Sequence, residues 1–433
     1  EILRCLVGSE MCIRDRCMNR SRYDIFISHS SCDNIFCNQL NDLLEKAGFS
    51  IWYDEHSLLP STHINRDLSG YVRQCESMIV VLSEHSCQSQ WVIDESATAR
   101  DEGKKIIPVV LDDCTLPGFF KNYKWVNCQN GLTPYSFFMI LSSIYGSADN
   151  MREERDVYIS HSWRDEEQHL VDNVLNILHS QQFRLIGDAS NQNSYDNDDR
   201  IMKIMCTCGA FVGIMPHRGD GKTSRYILDE IAKAETLGLN GIIIADGQIK
   251  DLSELTSFPI LKINNINDIN TIQLKEFVNE LKIERPKTPH VFYATNLDKD
   301  RRELNSLIRN LSGCVTATHC VLGEDIDHGN LQQQIIDRIK TAYVMIADIT
   351  GDQQCIECAH AEKVGRDKTY RFNTCIEAGI ARGAGTDLYL VAKQPRHTPP
   401  FMFRDINVRY YDNDCELLAI VHKILRPYRR SVL

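Results

Sequence analysis

No apolar run in the 433-residue sequence approaches the ~20 residues that cross a bilayer; stretches such as Met78–Leu82 and Gly241–Ala245 are strand-sized. A membrane partner is therefore not expected. Basic charge is scarce too: 48 Lys and Arg stand against 59 Asp and Glu, for a net charge of −11. That balance argues against nucleic acid, which calls for a basic face to neutralise phosphates. Proline is sparse, at 12 residues, and no low-complexity stretch interrupts the chain, which excludes collagen-like and disordered classes. Cysteine is not scarce, at 17, but an odd count at irregular spacing in a chain this long is no disulfide framework. Reduced thiols and a cytoplasmic location are the expectation.

What is present is a threefold pattern. Glu1–Arg16 shows neither periodicity nor a secretory signature and reads as a translated adapter segment ahead of a start at Met18, so residues 1–17, with Cys5, Cys12 and Cys17, are set aside. Beyond it come three successive β-α-β openings, each an apolar strand, a helix with a 3.6-residue stripe and a second strand. The first is Tyr23–Ser28, a helix bearing Phe36, Leu40, Leu43, Leu44 and Ala47, then Phe49–Tyr53. The second is Asp156–Ser160, a helix with Val171, Val174, Leu175 and Leu178, then Phe183–Ile186. The third is His290–Ala294, a helix with Leu304, Leu307, Ile308 and Leu311, then Val315–Thr318. Such alternation implies parallel sheets covered on both faces. Polar Gly146–Glu154 and the two prolines in Glu284–Pro289 mark linkers, giving modules over 18–148, 149–285 and 286–433.

The first two modules also share letters. Asp24-Ile25-Phe26-Ile27-Ser28-His29-Ser30 returns as Asp156-Val157-Tyr158-Ile159-Ser160-His161-Ser162, and Gln90-Trp91-Val92-Ile93-Asp94-Glu95-Ser96-Ala97 as Arg225-Tyr226-Ile227-Leu228-Asp229-Glu230-Ile231-Ala232. Two matches at nearly equal separation indicate a tandem duplication.

Tyr23–Ser30, Trp52-Tyr53-Asp54 with Leu59-Pro60, Met78–Ser83, and Trp91 with Glu95 together resemble the Toll/interleukin-1 receptor (TIR) domain family over a whole domain. The resemblance implies a five-stranded parallel sheet of flavodoxin-like order, with strands at 23–28, 50–53, 77–82, 106–110 and 124–127. In that order strands one and three adjoin where the winding reverses, so the loops leaving their carboxyl ends frame a crevice. Glu95 is expected to face it from a helix opened by Ser89 or Gln90, with Trp91 one turn away on the same face. In NAD-cleaving members of the family the corresponding glutamate is essential. A carboxylate suits that chemistry, because breaking a ribosyl–nicotinamide bond develops oxocarbenium charge on the ribose. The resemblance thus implies a signalling NAD glycohydrolase of innate-immunity type, with Glu95 catalytic and Ser28, His29, Trp91, Trp52 and Asp54 contacting substrate. NAD is then substrate, no cofactor is implied, and homotypic TIR assembly is expected. Ser61 follows Pro60 where a glycine is common in the family. A non-enzymatic adaptor is the alternative.

The second module, with Glu230 and Tyr226 in place of Glu95 and Trp91, resembles a divergent TIR-like domain. Gly219–Ser224 fails as a Walker loop because Pro216 stands where the first glycine belongs, though a glycine-rich turn before a helix can hold an anion. Asn, Asp and Ser fill Ala189–Asp199, which reads as a surface loop. In the third module, Val344–Asp348 and Asn373 with Glu377, Gly379 and Ala381 resemble nucleoside 2-deoxyribosyltransferases. That resemblance implies Glu377 as nucleophile and Asp348 beside the base, with Gly351–Arg371 inserted between them. Cys355, Cys358 and His360 there, with Cys375, offer soft ligands, but a second well-spaced pair is missing and no metal is assigned. The expected architecture is three consecutive flavodoxin-like α/β modules, each a doubly wound parallel five-stranded sheet. The later two are expected to be regulatory or nucleotide-sensing, or in the third case a transferase.

Overall fold

The computed structural model describes residues 23–432 apart from 54–69, 146–155, 163, 182, 188–196, 265–269, 284–289, 296, 298, 326–329, 343, 352–371 and 395–400. The first module comprises β1 (Tyr23–Ser28), α1 (Asn34–Lys46), β2 (Ile51–Tyr53), β3 (Cys75–Leu82), α2 (Gln90–Asp101), β4 (Lys105–Val110), β5 (Val126–Asn127) and α3 (Pro134–Tyr145). The second runs through β6 (Asp156–Ser160), α4 (Gln168–Ser180), β7 (Arg184–Gly187), α5 (Asn197–Cys206), β8 (Ala210–Met215), α6 (Arg225–Thr236), β9 (Gly241–Asp246), α7 (Leu252–Leu255), β10 (Ile260–Ile263) and α8 (Thr271–Asn279). The third contains β11 (His290–Ala294), α9 (Arg302–Thr316), β12 (His319–Val321), α10 (Leu331–Thr341), β13 (Val344–Asp348), α11 (Phe372–Ala384), β14 (Asp387–Lys393), β15 (Val408–Tyr411) and α12 (Asp414–Leu425), and the described chain closes on β16 (Ser431–Val432).

The sheet orders are β2-β1-β3-β4-β5, β10-β9-β8-β6-β7-β16 and β12-β11-β13-β14-β15. Each holds five parallel strands in flavodoxin-like order, as expected. The second carries a sixth, antiparallel strand: β16 pairs with β7, Ser431 opposite Gly187 and Val432 opposite Ile186. One expected strand moves. Val315 belongs to the buried stripe of α9 with Leu304, Leu307, Ile308 and Leu311, so the helix runs on to Thr316 and stops where Ala317 turns left-handed at φ 54°. The strand follows at His319, not Val315.

Alternation along β1 divides the first module into two layers. Ile25 and Ile27 face α1 and α3, whereas Phe26 joins Met78, Val80 and Leu82 under Val92 and Ala99 of α2. The first layer does not end at the module. Leu307, Ile308 and Leu311 of α9 and Leu417, Leu418 and Val421 of α12 complete the same core, so the first and third modules are packed as one body.

Polar contacts fix that packing. His422 shares a 2.7 Å hydrogen bond with the Ala47 carbonyl through Nδ1 and a 2.5 Å bond with the Tyr145 hydroxyl through Nε2. Lys46 pairs with Glu416 at 2.6 Å, and Arg426 pairs with Asp24 at 2.8 Å while also donating to the Gly48 carbonyl. Gly48 ends α1 at φ 92°, where a side chain would be strained and a Cβ would meet Lys423 at 3.3 Å. Past α12 the chain crosses to the second module. There Arg430, 2% exposed, reaches Asp156 at 2.8 Å and Thr207 Oγ1 at 2.9 Å, beside the Arg184–Asp156 pair at 2.5 Å.

Candidate active site at the winding reversal of the first sheet

Strands β1 and β3 lie side by side in register, Ser28 opposite Val80. Because side chains alternate, Ser28 emerges on the same face as Phe26, the face roofed by α2. Glu95, the sixth residue of α2, points down from that roof to the sheet and is only 6% exposed. The Ser28 hydroxyl donates to its Oε2, joining the carboxyl end of the first strand to the helix after the third. A carboxylate withdrawn from water needs such a donor, since burying a charge unpaired is expensive.

The surrounding loops are tied together. Ser83 follows β3 and donates from Oγ to Asp33 at 2.7 Å, linking the loop after β3 to the loop after β1. Its backbone N–H donates to Ser86 Oγ at 2.7 Å, which folds the chain into the short turn Ser86–Gln88 ahead of α2. His29 leaves β1, bonds Asn34 Oδ1 through Nε2 at 3.0 Å and stacks on Tyr53 at 5.0 Å. Trp91 is half-buried against the same apolar cluster. Thus Ser28 and Glu95 meet at the carboxyl end of β1, with His29 next in the chain and Trp91 one helical turn from Glu95. Trp52 does not join them. It is fully buried between Phe26 and Tyr71, at 4.6 and 5.0 Å, and offers no surface to a ligand. Asp54 lies outside the described residues.

The same construction appears three times with different chemistry. Glu230 is the sixth residue of α6 and Glu377 the sixth of α11, each helix following the third strand of its sheet. The strand position held by Ser28 is Ser160 in the second module and Ala294 in the third. Glu230, 2% exposed, accepts not from the serine but from the Tyr158 hydroxyl at 3.1 Å, where the first module has Phe26. Ser160 Oγ is left without a partner among the described residues. With Ala294 at that position Glu377 gains no serine donor, and burial pushes its carboxyl up to about 7. Tyr226, one turn before Glu230, is half-buried against the core beneath α6.

The remaining candidates are placed as follows. Asp348, 1% exposed, is pinned by Thr350 N at 3.1 Å, by the Thr350 hydroxyl, by the Tyr411 hydroxyl at 2.9 Å and by Arg301 at 3.0 Å, so its carboxylate is saturated by protein donors. Asn373 is exposed at the start of α11. Arg218, beside the glycine-rich turn, is already held by Glu167 at 2.9 and 3.0 Å and by Ser162 at 3.1 Å. Cys355, Cys358 and His360 lie outside the described residues. Among those described, no three His, Cys, Asp or Glu side chains group to hold a metal, and no helix is long and apolar enough to cross a membrane. The sequence reading missed Asp33, Ser83 and Ser86, which organise the loops, and Tyr158. The last was visible, as the one letter in the repeated heptapeptide that adds a donor.

Comparison with known proteins places the likeness in the first module. The TIR domain family model matches residues 25–138. The chain is 32% identical over 97 residues to an Escherichia coli NAD(+) hydrolase, TcpC, covering 21% of this chain and 32% of that protein. It is 37% identical over 70 residues to the Paracoccus denitrificans NAD(+) hydrolase PdTIR, covering 16% and 23%. Against the Acinetobacter baumannii 2' cyclic ADP-D-ribose synthase AbTIR it is 30% identical over 89 residues, covering 20% and 33%. The chain spans less than half the length of the curated relatives it matches. Among solved structures, the TIR domain of a Hydra magnipapillata Toll-related receptor aligns at 19% identity and TM-score 0.27, over 29% of this chain and 99% of that one.

Proposed function

Taking as premise that residues 25–138 are a TIR domain, we propose that the first module cleaves the nicotinamide–ribose bond of NAD or a close relative, with Glu95 as the catalytic carboxylate. The observation that carries this reading is the buried Glu95 at the β1/β3 reversal, held by Ser28 on a roof one turn from Trp91. The kinship of the domain with proteins named NAD(+) hydrolases supports it.

The residues suit the reaction in a definite way. As the C–N bond breaks, its electron pair leaves with the nicotinamide nitrogen, and a neutral base departs without needing a strong acid. Positive charge grows on the ribose, where a fixed carboxylate in a low-dielectric crevice stabilises it. Water, or a hydroxyl of the same molecule, then takes the anomeric carbon. The half-buried indole of Trp91 offers an apolar wall beside the carboxylate. In the later modules the matching carboxylates are differently satisfied, by Tyr158 or by no serine, which supports a binding or regulatory role for them.

The test is nicotinamide release from NAD by the purified chain, with nucleotide products read by mass spectrometry. Glu95→Ala is expected to abolish release; full activity in that variant refutes the assignment. An adaptor that signals by homotypic assembly alone predicts instead that Glu95→Ala leaves assembly-dependent signalling intact. A transferase reading of the third module rests on the place of Glu377, the sixth residue of the helix after the third strand, as Glu95 is in the first module. It predicts nucleoside base exchange that Glu377→Ala removes and Glu95→Ala retains.

A further inference from the structure

We propose that Cys87 and Cys114 form an oxidative modification site, a thiol pair that a peroxide closes into a disulfide on the rim of the Glu95 crevice, slowing turnover there. The two sulfurs lie 3.4 Å apart as free thiols, each partly exposed. Cys87 sits in the turn Ser86–Gln88 that leads into α2, and Cys114 in the segment leaving β4. These segments leave neighbouring parallel strands and are sewn together beside the sulfurs. Leu111 N donates to the Leu82 carbonyl at 2.8 Å, and Glu84 N to Asp112 Oδ2 at 3.0 Å. The thiols are therefore held together by a frame, not by chance encounter of two mobile loops.

Closing the bond draws the sulfurs together from 3.4 Å to the about 2 Å of a disulfide, a shift of more than about 1 Å. The chemistry balances with a peroxide as oxidant. The Cys87 thiolate attacks one peroxide oxygen; the O–O bond breaks, leaving a sulfenic acid and a hydroxide that is protonated to water. The Cys114 sulfur then displaces the hydroxyl from Cys87 as a second water, forming the S–S bond. Two thiols lose two electrons and two protons, and the peroxide gains both.

The site bears on the crevice by contiguity. Cys87, Cys114 and Trp91 pack against one apolar cluster, the cluster that lies beneath α2. Ser86, next to Cys87, accepts from the Ser83 backbone, and Ser83 in turn reaches across to Asp33. Drawing Cys87 toward β4 pulls this turn away from the loop after β1. A displacement near 1 Å in a positioning element costs up to about a hundredfold in rate. Burial raises both thiols, Cys114 to about 12, so they are mostly protonated at neutral pH and closure accelerates as the solution is made alkaline.

The covalent step stands by itself, while its effect on turnover rests on the Glu95 reading. The full chain is reduced, freed of reductant, treated with hydrogen peroxide and mapped as peptides without reduction. The expected result is a linked peptide pair containing residues 87 and 114, about 2 Da lighter than the sum of its reduced parts. Nicotinamide release is expected to fall about tenfold to a hundredfold and to recover on reduction. Cys114→Ser should keep the reduced-state rate and be insensitive to peroxide. Absence of the 87–114 link, or a loss of turnover that persists in Cys114→Ser, overturns the proposal. If the link forms but reduced wild type releases no nicotinamide, the glycohydrolase reading falls and the thiol site stands.

Discussion

Ser28→Ala isolates the contact on which the first module's site is built. The change removes one hydroxyl from a residue 1% exposed and takes one hydrogen bond from Glu95, 6% exposed. No large cavity opens, so the cost is that of a hydrogen bond to a charged group, about 1.5–3 kcal/mol. That is roughly a ten- to hundredfold change in the folding equilibrium. Urea denaturation followed by tryptophan fluorescence suits the measurement, because Trp52, Trp91 and Trp125 all lie in the first module. A double-mutant cycle with Glu95→Gln separates the pair from background effects and should return a coupling of about the same 1.5–3 kcal/mol. Nicotinamide release by Ser28→Ala is expected to fall by about ten- to a hundredfold as the carboxylate loses its fixed position. A variant within about 0.5 kcal/mol of wild type, with coupling near zero, refutes the reasoning.

Three further outcomes follow from the packing. Burial drives His422 down to about 3, so between its unfolded pKa and that value only the unfolded chain takes the proton; stability is therefore full above pH ~6.5 and should fall by about 1.4 kcal/mol per unit on acidification, a slope that His422→Gln should remove in pH-dependent denaturation. Glu377 behaves oppositely. Its carboxyl is raised to about 7 in the fold, so its contribution is present at low pH and lost as pH climbs from ~4.5 through ~7, and Glu377→Gln should flatten stability measured across that window. Arg430→Ala removes one of two guanidinium partners of fully buried Asp156, and with Arg184 still in place the loss should be about 2–4 kcal/mol, below that of an unpaired charge. Hydrogen exchange on the side of β7 that faces β16 should rise as β16 is released.

The layered plan of the chain was legible because local period and strand-end letters carry it. Tyr23–Ser28, Asp156–Ser160 and His290–Ala294 are strands over the expected residues. The convergence of Ser28 and Glu95 followed from flavodoxin-like order, since that order fixes which loops meet. What the letters could not convey is what depends on partners distant in sequence. Val315 reads equally as strand or as the last apolar rung of a helix, and only packing of the α9 stripe decides. Trp52 carries the family pattern but is sandwiched by Phe26 and Tyr71, the latter beyond a long connection. Hydropathy likewise gives no sign that α12 completes a core begun by α1 and α3.

The path of residues 414–432 makes the order of synthesis matter. The helix that seals the first module, and the strand that covers the flank of the second, are both translated long after the modules they serve. Until then β7 presents an open row of amides, a template for another strand, and the face of α1 and α3 stays greasy and wet. A fragment that stopped short of residue 414 would inherit those bare surfaces, so the chain is three modules in pattern whose closing pieces are held in common.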